Sequence, residues 1–254
     1  SGKGSLTPTK IQLTGAKATI FDGSATGNLT WNVPKPTQTN IDFSGKLNGL
    51  KADSFFQETS FLGGDSNIHK YLEGALSAEV QYSSSLEPTL TPKVSTIQAQ
   101  GAFGMTTSRL KDHPIQMEIA KLLKVDELKN VALDDWETTF AIEDELLRFN
   151  GLNLTSKDIG IEMQGTHHLV SDVIDYKATI ALPGRFKKGI ANVISENAAN
   201  ALQQENGTIA IPLIISGTSE KPKVRPDQDV IKKVVEDYLK DKGSDLIKGL
   251  FNGN

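Results

Sequence analysis

The sequence predicts a mainly β protein: one strongly curved antiparallel sheet, a groove or partial barrel, with a few amphipathic helices that include a C-terminal one. Three observations carry that reading. Between Lys10 and Gly217, short stretches alternate apolar and polar residues and are punctuated by Gly, Asn, Asp or Pro, the pattern of antiparallel strands with one buried face. Gly45, Gly101, Gly104, Gly151 and Gly165 lie inside those stretches, where glycine suits bulges and bends better than flat pairing. Helical periodicity is confined to a few segments.

In chain order, the first apolar faces are Ile11/Leu13, Ala18/Ile20 and Ile41/Phe43, each pair two residues apart and so on one side of a strand. A Phe-rich stretch between Ser54 and Leu72, with Phe55, Phe56, Phe61, Leu62 and the break Gly63-Gly64, reads as helical turns around a loop. Strands resume with Leu76/Ala78/Val80/Tyr82 and Ile97/Ala99/Phe103/Met105. After Asp112-His113-Pro114 a short helix is expected, because proline suits a first turn and Ile115, Ile119, Leu122 and Leu123 then fall on one stripe. Five further faces follow: Phe140/Ile142, Leu147/Phe149, Leu152/Leu154, Ile161/Met163 and Tyr176/Ala178/Ile180/Leu182. A second helix is expected from about Phe186 to Gln204, bridging to a strand over Ile209 to Ile215. The third begins after Pro226-Asp227, with Val230, Ile231, Val234, Val235, Tyr238 and Leu239 as its apolar side and an interruption at Gly243. That stripe is wide enough to cap the open end of the sheet and shield the strand over 209–215 from edge pairing. The pattern yields about nine strands, roughly 40% strand and under 30% helix. It divides the chain into a sheet domain, residues 1–226, and a helical tail packed on it, residues 227–254.

Composition narrows the function. The 254 residues carry 27 Lys and Arg against 31 Asp and Glu, a net charge of −4 that argues against a general nucleic-acid binder. No apolar run approaches the ~20 residues a membrane helix requires. The absence of cysteine removes disulfides, thiolate catalysis and Cys-type metal sites. The opening Ser1-Gly2-Lys3-Gly4, without methionine, reads as a cut junction, which leaves room for a signal peptide or anchor upstream.

Catalytic motifs are missing: there is no Walker loop, no Gly-x-Ser-x-Gly elbow, no His-Glu-x-x-His and no dinucleotide fingerprint. His167-His168 could ligate a metal, but neighbours in a strand point to opposite faces, so exposed turn histidines are the preferred reading. Asp134-Asp135 and Glu143-Asp144-Glu145 could hold a cation or act as an acid/base pair, yet acidic residues are ordinary in turns. Arg185, Lys187 and Lys188, at the start of the second helix, could meet a lipid head group or acidic partner; a solvated face is preferred. No enzyme activity, cofactor or metal is expected.

Two stretches resemble the C-terminal region of the AsmA-like family of bacterial envelope proteins. One runs from Asn150-Gly151-Leu152-Asn153-Leu154-Thr155-Ser156-Lys157-Asp158-Ile159-Gly160-Ile161 through Gly165 to Val173-Ile174-Asp175-Tyr176-Lys177-Ala178-Thr179-Ile180. The other is Ile209-Ala210-Ile211-Pro212-Leu213-Ile214-Ile215-Ser216-Gly217-Thr218, followed by Pro222 and Pro226-Asp227. The resemblance covers Leu76 to Asp227 best, and the turn at Glu143-Asp144-Glu145 lacks the Asp-Gly common in the family. It implies a protein tethered to the inner membrane by an upstream helix, with a periplasmic body that serves outer-membrane assembly. In related proteins a long curved sheet holds phospholipid acyl chains in an apolar groove, and no catalytic residue is implied.

On that reading the candidate groove lining is Phe43, Val80, Phe103, Phe140, Ile161, Ile180 and Ile211, and the partner is a phospholipid or other acyl lipid. Two alternatives stay open. The same face could be a closed core under the helices, or the module could be a scaffold that binds envelope-assembly proteins without carrying lipid.

Overall fold

The computed structural model describes residues 1–35, 38–59 and 67–251. Its strands are β1 (Lys3–Thr7), β2 (Lys10–Ile20), β3 (Gly23–Lys35), β4 (Gln38–Lys51), β5 (Leu72–Leu86), β6 (Gln98–Lys111), β7 (Asn130–Ala132), β8 (Trp136–Glu143), β9 (Leu146–Ser156), β10 (Ile159–His168), β11 (Val173–Pro183), β12 (Thr208–Thr218) and β13 (Pro222–Pro226). The α-helices are α1 (Ala52–Glu58), α2 (Pro114–Leu123), α3 (Lys187–Ile194), α4 (Glu196–Ala201) and α5 (Gln228–Phe251). The strands form one antiparallel sheet in sequence order, with the short β7 beside β6 and β8 taking the next place along the path. It does not close into a barrel, and strands make up more than half of the described residues, more than the alternation alone predicts.

Register places every expected apolar face on the same side. Leu29 pairs with Phe43, Phe43 with Tyr82, Tyr82 with Ala99, Ala99 with Ile142, and Ile142 with Leu147. Directly paired residues in an antiparallel ladder share a face, so one side of the sheet is apolar across its width. The other side carries Lys46, Glu79, Gln81 and Gln100, including the Lys46–Glu79 ion pair at 3.1 Å.

Bulges keep that pattern on one face while bending the sheet. β2 spends three residues, Leu13 to Ala16, where β3 spends two, and Gly15 takes up the extra residue at φ +57°. Gly45 and Gly101 answer a different constraint. A Cβ at Gly45 would sit 2.2 Å from the Thr26 carbonyl oxygen, and one at Gly101 would sit 2.0 Å from that of Glu79, so only glycine lets these strands approach so closely. The accumulated curl is large. Six strand intervals separate β5 from β12, about 29 Å laid flat, yet Asn67 just before β5 donates to Glu220 just after β12 at 2.5 Å.

The helices cover part of the apolar side. The main core joins Ile174, Tyr176, Ile180, Leu182, Ile209, Ile211, Leu213 and Ile215 of β11 and β12 to Leu123 of α2, Ile190 of α3, Ala198 and Ala199 of α4, and Ile231 of α5. A smaller cluster under α1 holds Leu50, Ala52, Leu72, Leu76 and Met105. The expected helix over 186–204 is two helices, because Ser195 takes φ +86° and its hydroxyl accepts from the Ala198 amide, starting α4 afresh. α5 starts where Asp227 accepts from the Val230 amide and runs without a break through Gly243. Nor does α5 guard the edge of the strand over 209–215: β13 pairs with residues 213–217, Leu202 and Gln203 meet Ala210 and Ile209, and α5 packs through Ile231, Val234 and Val235. The expected turns at Phe55 and Phe56 are α1; Phe61, Leu62 and Gly63-Gly64 fall outside the described residues.

Candidate functional site

The apolar side of the sheet has two parts that differ in what covers them. Ile180 and Ile211 face each other across β11 and β12, both with no exposed surface, sealed under the helices. These two candidates are core residues, because α2, α3 and α4 close over the strands that carry them. The other five lie at positions with surface remaining. Phe43, Val80 and Phe140 are half-buried and join none of the buried clusters. Phe103 is half-buried on the margin of the cluster under α1, and Ile161 is half-buried between Leu154 and Ile180 on the margin of the main core.

Strand order brings four of these together. Val80 and Phe140 flank Gly101 in one row across β5, β6 and β8, and Gly45 precedes Val80 in that row. Phe103 stands one step along β6, its ring edge-to-face with Phe140 at 5.7 Å and with Trp136 at 5.4 Å. Phe149, half-buried on β9, extends the row beyond Phe140 and lies 6.1 Å from Phe103. The neighbouring row holds Leu13, Leu29, Phe43, Tyr82, Ala99, Ile142 and Leu147, of which the small Ala99 is buried between its neighbours. Exposure rises toward β1: Leu13 is 37%, Ile11 44% and Leu6 78% exposed.

The result is a strip of half-exposed apolar side chains crossing the strands from β2 to β9, closed at the β10–β13 end by the helical plug. The glycines at 45 and 101 form a low floor between aromatic and aliphatic walls. Sequence reasoning found the walls but missed β3, whose Leu29 and Trp31 belong to the strip, because Gly23, Gly27 and Asn28 interrupt its alternation. Tyr82 gives the strip one polar group: its hydroxyl hydrogen-bonds Ser84 at 2.9 Å, and burial pushes the phenol above its usual 10.0.

Several of the other polar candidates are engaged within the structure. His167 is not an exposed turn residue; it is 4% exposed with Nε2 2.7 Å from Asp172 Oδ1, whose partner oxygen accepts from the Ser219 amide at 3.2 Å. That pairing holds the β10–β11 hairpin against the β12–β13 turn. Asp144 and Glu145 both adopt positive φ in the β8–β9 turn, and Asp134 accepts from the Thr155 hydroxyl. Arg185 binds Asp158 and lies 4.6 Å over the Phe186 ring, and Lys187 donates to Gln203, which leaves two of that trio committed to side chains. Among the described residues, no group of three or more His, Asp or Glu side chains is placed to hold a metal ion, and no helix is long and apolar enough to cross a membrane. One surface depression lies at Ala102 and Gly104, ringed by Lys46, Glu79 and Glu137, and is open to solvent.

Fold and strip together define an open, curled antiparallel sheet with one helix-plugged end. Comparison with known protein families, with curated proteins and with solved structures finds no match for this chain.

Proposed function

We propose that the strip across β2–β9 holds the acyl chains of a phospholipid or similar lipid, and that the chain is a non-enzymatic periplasmic module of an AsmA-like envelope protein, tethered to the inner membrane and serving outer-membrane assembly or lipid homeostasis. One observation carries the reading: Leu29, Phe43, Val80 and Phe140 remain half-exposed on one continuous face that no described helix covers. Apolar surface left in water is unfavourable by about 25 cal/mol per Å2, so a contiguous strip calls for an occupant. Acyl chains fit its dimensions. Six strand intervals measure about 29 Å along the curled sheet, against about 15 Å for one leaflet of a ~30 Å bilayer core.

The test is mass spectrometry of an organic extract of the purified protein. Acyl lipid should be present in the parent and reduced in Phe43→Asp and Phe140→Asp, since a carboxylate among acyl chains is left unsolvated. Thr139→Asp, next to Phe140 but exposed on the opposite face, should retain it. A lipid-free parent favours the scaffold reading instead.

A further inference from the structure

Asn48, Asn150, Asn206 and Asn252 each precede a glycine, and of these only Asn206 has a hydroxyl residue next in line, Thr208. Asn206 is exposed in the turn between α4 and β12. Its side-chain Oδ1 accepts from the Thr208 amide at 3.0 Å and from the Thr208 hydroxyl at 2.7 Å. Gly207 sits at φ +83° with open space where a Cβ would be, so neither a side chain of its own nor a neighbour shields that flank. Two main-chain hydrogen bonds keep the turn in this shape: the Gln204 amide donates to the Thr208 carbonyl at 2.8 Å, and the Gly207 amide to the Gln204 carbonyl at 2.9 Å. Asn48 and Asn150 are held differently. Asn48 pairs with Ser24 inside the sheet, and Asn150 lies in the β9 bulge between Phe149 and Leu152. Among the described residues no donor reaches the side-chain oxygen of either.

From this geometry we infer that Asn206 is a site of self-promoted deamidation, with water as the only co-reactant. Hydroxide takes the Gly207 amide proton, the nitrogen attacks Cγ of Asn206, and the new C–N bond closes a five-membered ring. The negative charge that develops on Oδ1 is held by the two Thr208 donors already aimed at it, the arrangement that stabilises an acyl-transfer intermediate in an oxyanion hole. The Cγ–Nδ2 bond then breaks, and Nδ2 leaves as ammonia after taking a proton from water. Water opens the remaining succinimide at either carbonyl, giving aspartate or isoaspartate. No oxidation or reduction is involved. Either product adds one negative charge to a chain whose net charge is −4, and isoaspartate also lengthens the main chain by one carbon. The same turn is tied to α4 by the Gln203–Ile209 bridge and by the Ala210 amide donating to the Leu202 carbonyl at 3.1 Å, and α4 carries Ala198 and Ala199 of the main core. Isoaspartate at 206 therefore loosens the attachment of the helical plug to β12. The inference does not rest on the lipid reading.

The experiment incubates the folded parent chain in mildly alkaline buffer and follows its proteolytic peptides by fragmentation mass spectrometry, with isoaspartate methyltransferase labelling of the product. Asn206 should gain the mass of deamidation at least about fivefold faster than Asn48 and Asn150. Thr208→Val keeps the amide donor and removes the hydroxyl, so it should slow conversion at Asn206 about fivefold, the worth of one exposed hydrogen bond to the developing charge. In denaturant, where the turn is lost, the lead of Asn206 over the other two and the effect of Thr208→Val should both disappear. The deamidated fraction, separated by its extra charge, should melt below the parent. Conversion of Asn48 or Asn150 as fast as Asn206 in the folded chain overturns the inference, as does Thr208→Val converting at the parent's rate. A lead of Asn206 that persists unchanged in denaturant also overturns it, since local sequence and not the folded turn would then set the rate.

Discussion

Truncating one apolar residue in each part of the sheet face separates core from strip. Ile211 is fully buried against Ile180 and the helical plug, so Ile211→Ala removes buried methyl groups and leaves a cavity, a loss of about 2–5 kcal/mol. Phe43 is half-buried and outside the buried clusters. Full burial of a phenylalanine contributes about 1.5–3 kcal/mol, so Phe43→Ala in lipid-free protein should cost about 1 kcal/mol. For a chain of this length each kcal/mol moves the melting temperature by about 2–4 °C. Urea denaturation reads the difference directly as a midpoint shift, at least twice as large for Ile211→Ala as for Phe43→Ala when the slopes agree. Equal shifts would refute the reasoning, since Phe43 would then be packed as tightly as the core and the strip would be closed.

Other outcomes follow from individual contacts. Gly101→Ala should destabilise by about 1–3 kcal/mol in the same assay, because its Cβ would meet the Glu79 carbonyl oxygen and force the β5–β6 pair apart. In α5, Ile231→Ala should cost about 2–4 kcal/mol, whereas Leu239→Ala, 53% exposed, should stay within about 0.5 kcal/mol. The Arg185 guanidinium bonded to Asp158 holds that carboxyl below its usual 3.8. The pair therefore contributes above pH 3.8 and loses its contribution as pH falls through the lowered value, so Arg185→Gln should flatten that part of an acid-denaturation curve. Burial raises the Tyr82 phenol above 10.0, so stability is unaffected below pH 10 and falls as pH rises through the raised value. Tyr82→Phe should abolish that alkaline loss.

The sheet was legible wherever alternation ran unbroken, as in Leu76–Tyr82, Tyr176–Leu182 and Ile209–Ile215, since period two is a direct consequence of the pleat. β3 and β13 were not, because glycines and Asn28 dilute the first and prolines occupy two of five positions in the second. β1 lay in a stretch that reads as a junction, and only pairing with β2 gives it structure. The split of the candidate site is equally a tertiary fact. Phe43 and Ile211 sit in similar alternating patterns, and what distinguishes them is that α2, α3 and α4 fold back over β11 and β12 and not over β4. His167 escaped for the same reason: its partner Asp172 is close in sequence, but its burial depends on the β12–β13 turn reaching it through Ser219.

Photolabelling with a phospholipid carrying a photoactivatable acyl chain tests the central claim most directly, because it reads contact at the strip itself. After irradiation and digestion, the account predicts labelled peptides from β4, β5 and β8, centred on Phe43, Val80 and Phe140, with little label on β11 and β12. Labelling confined to α5 or to the polar face, or no specific labelling, would contradict it.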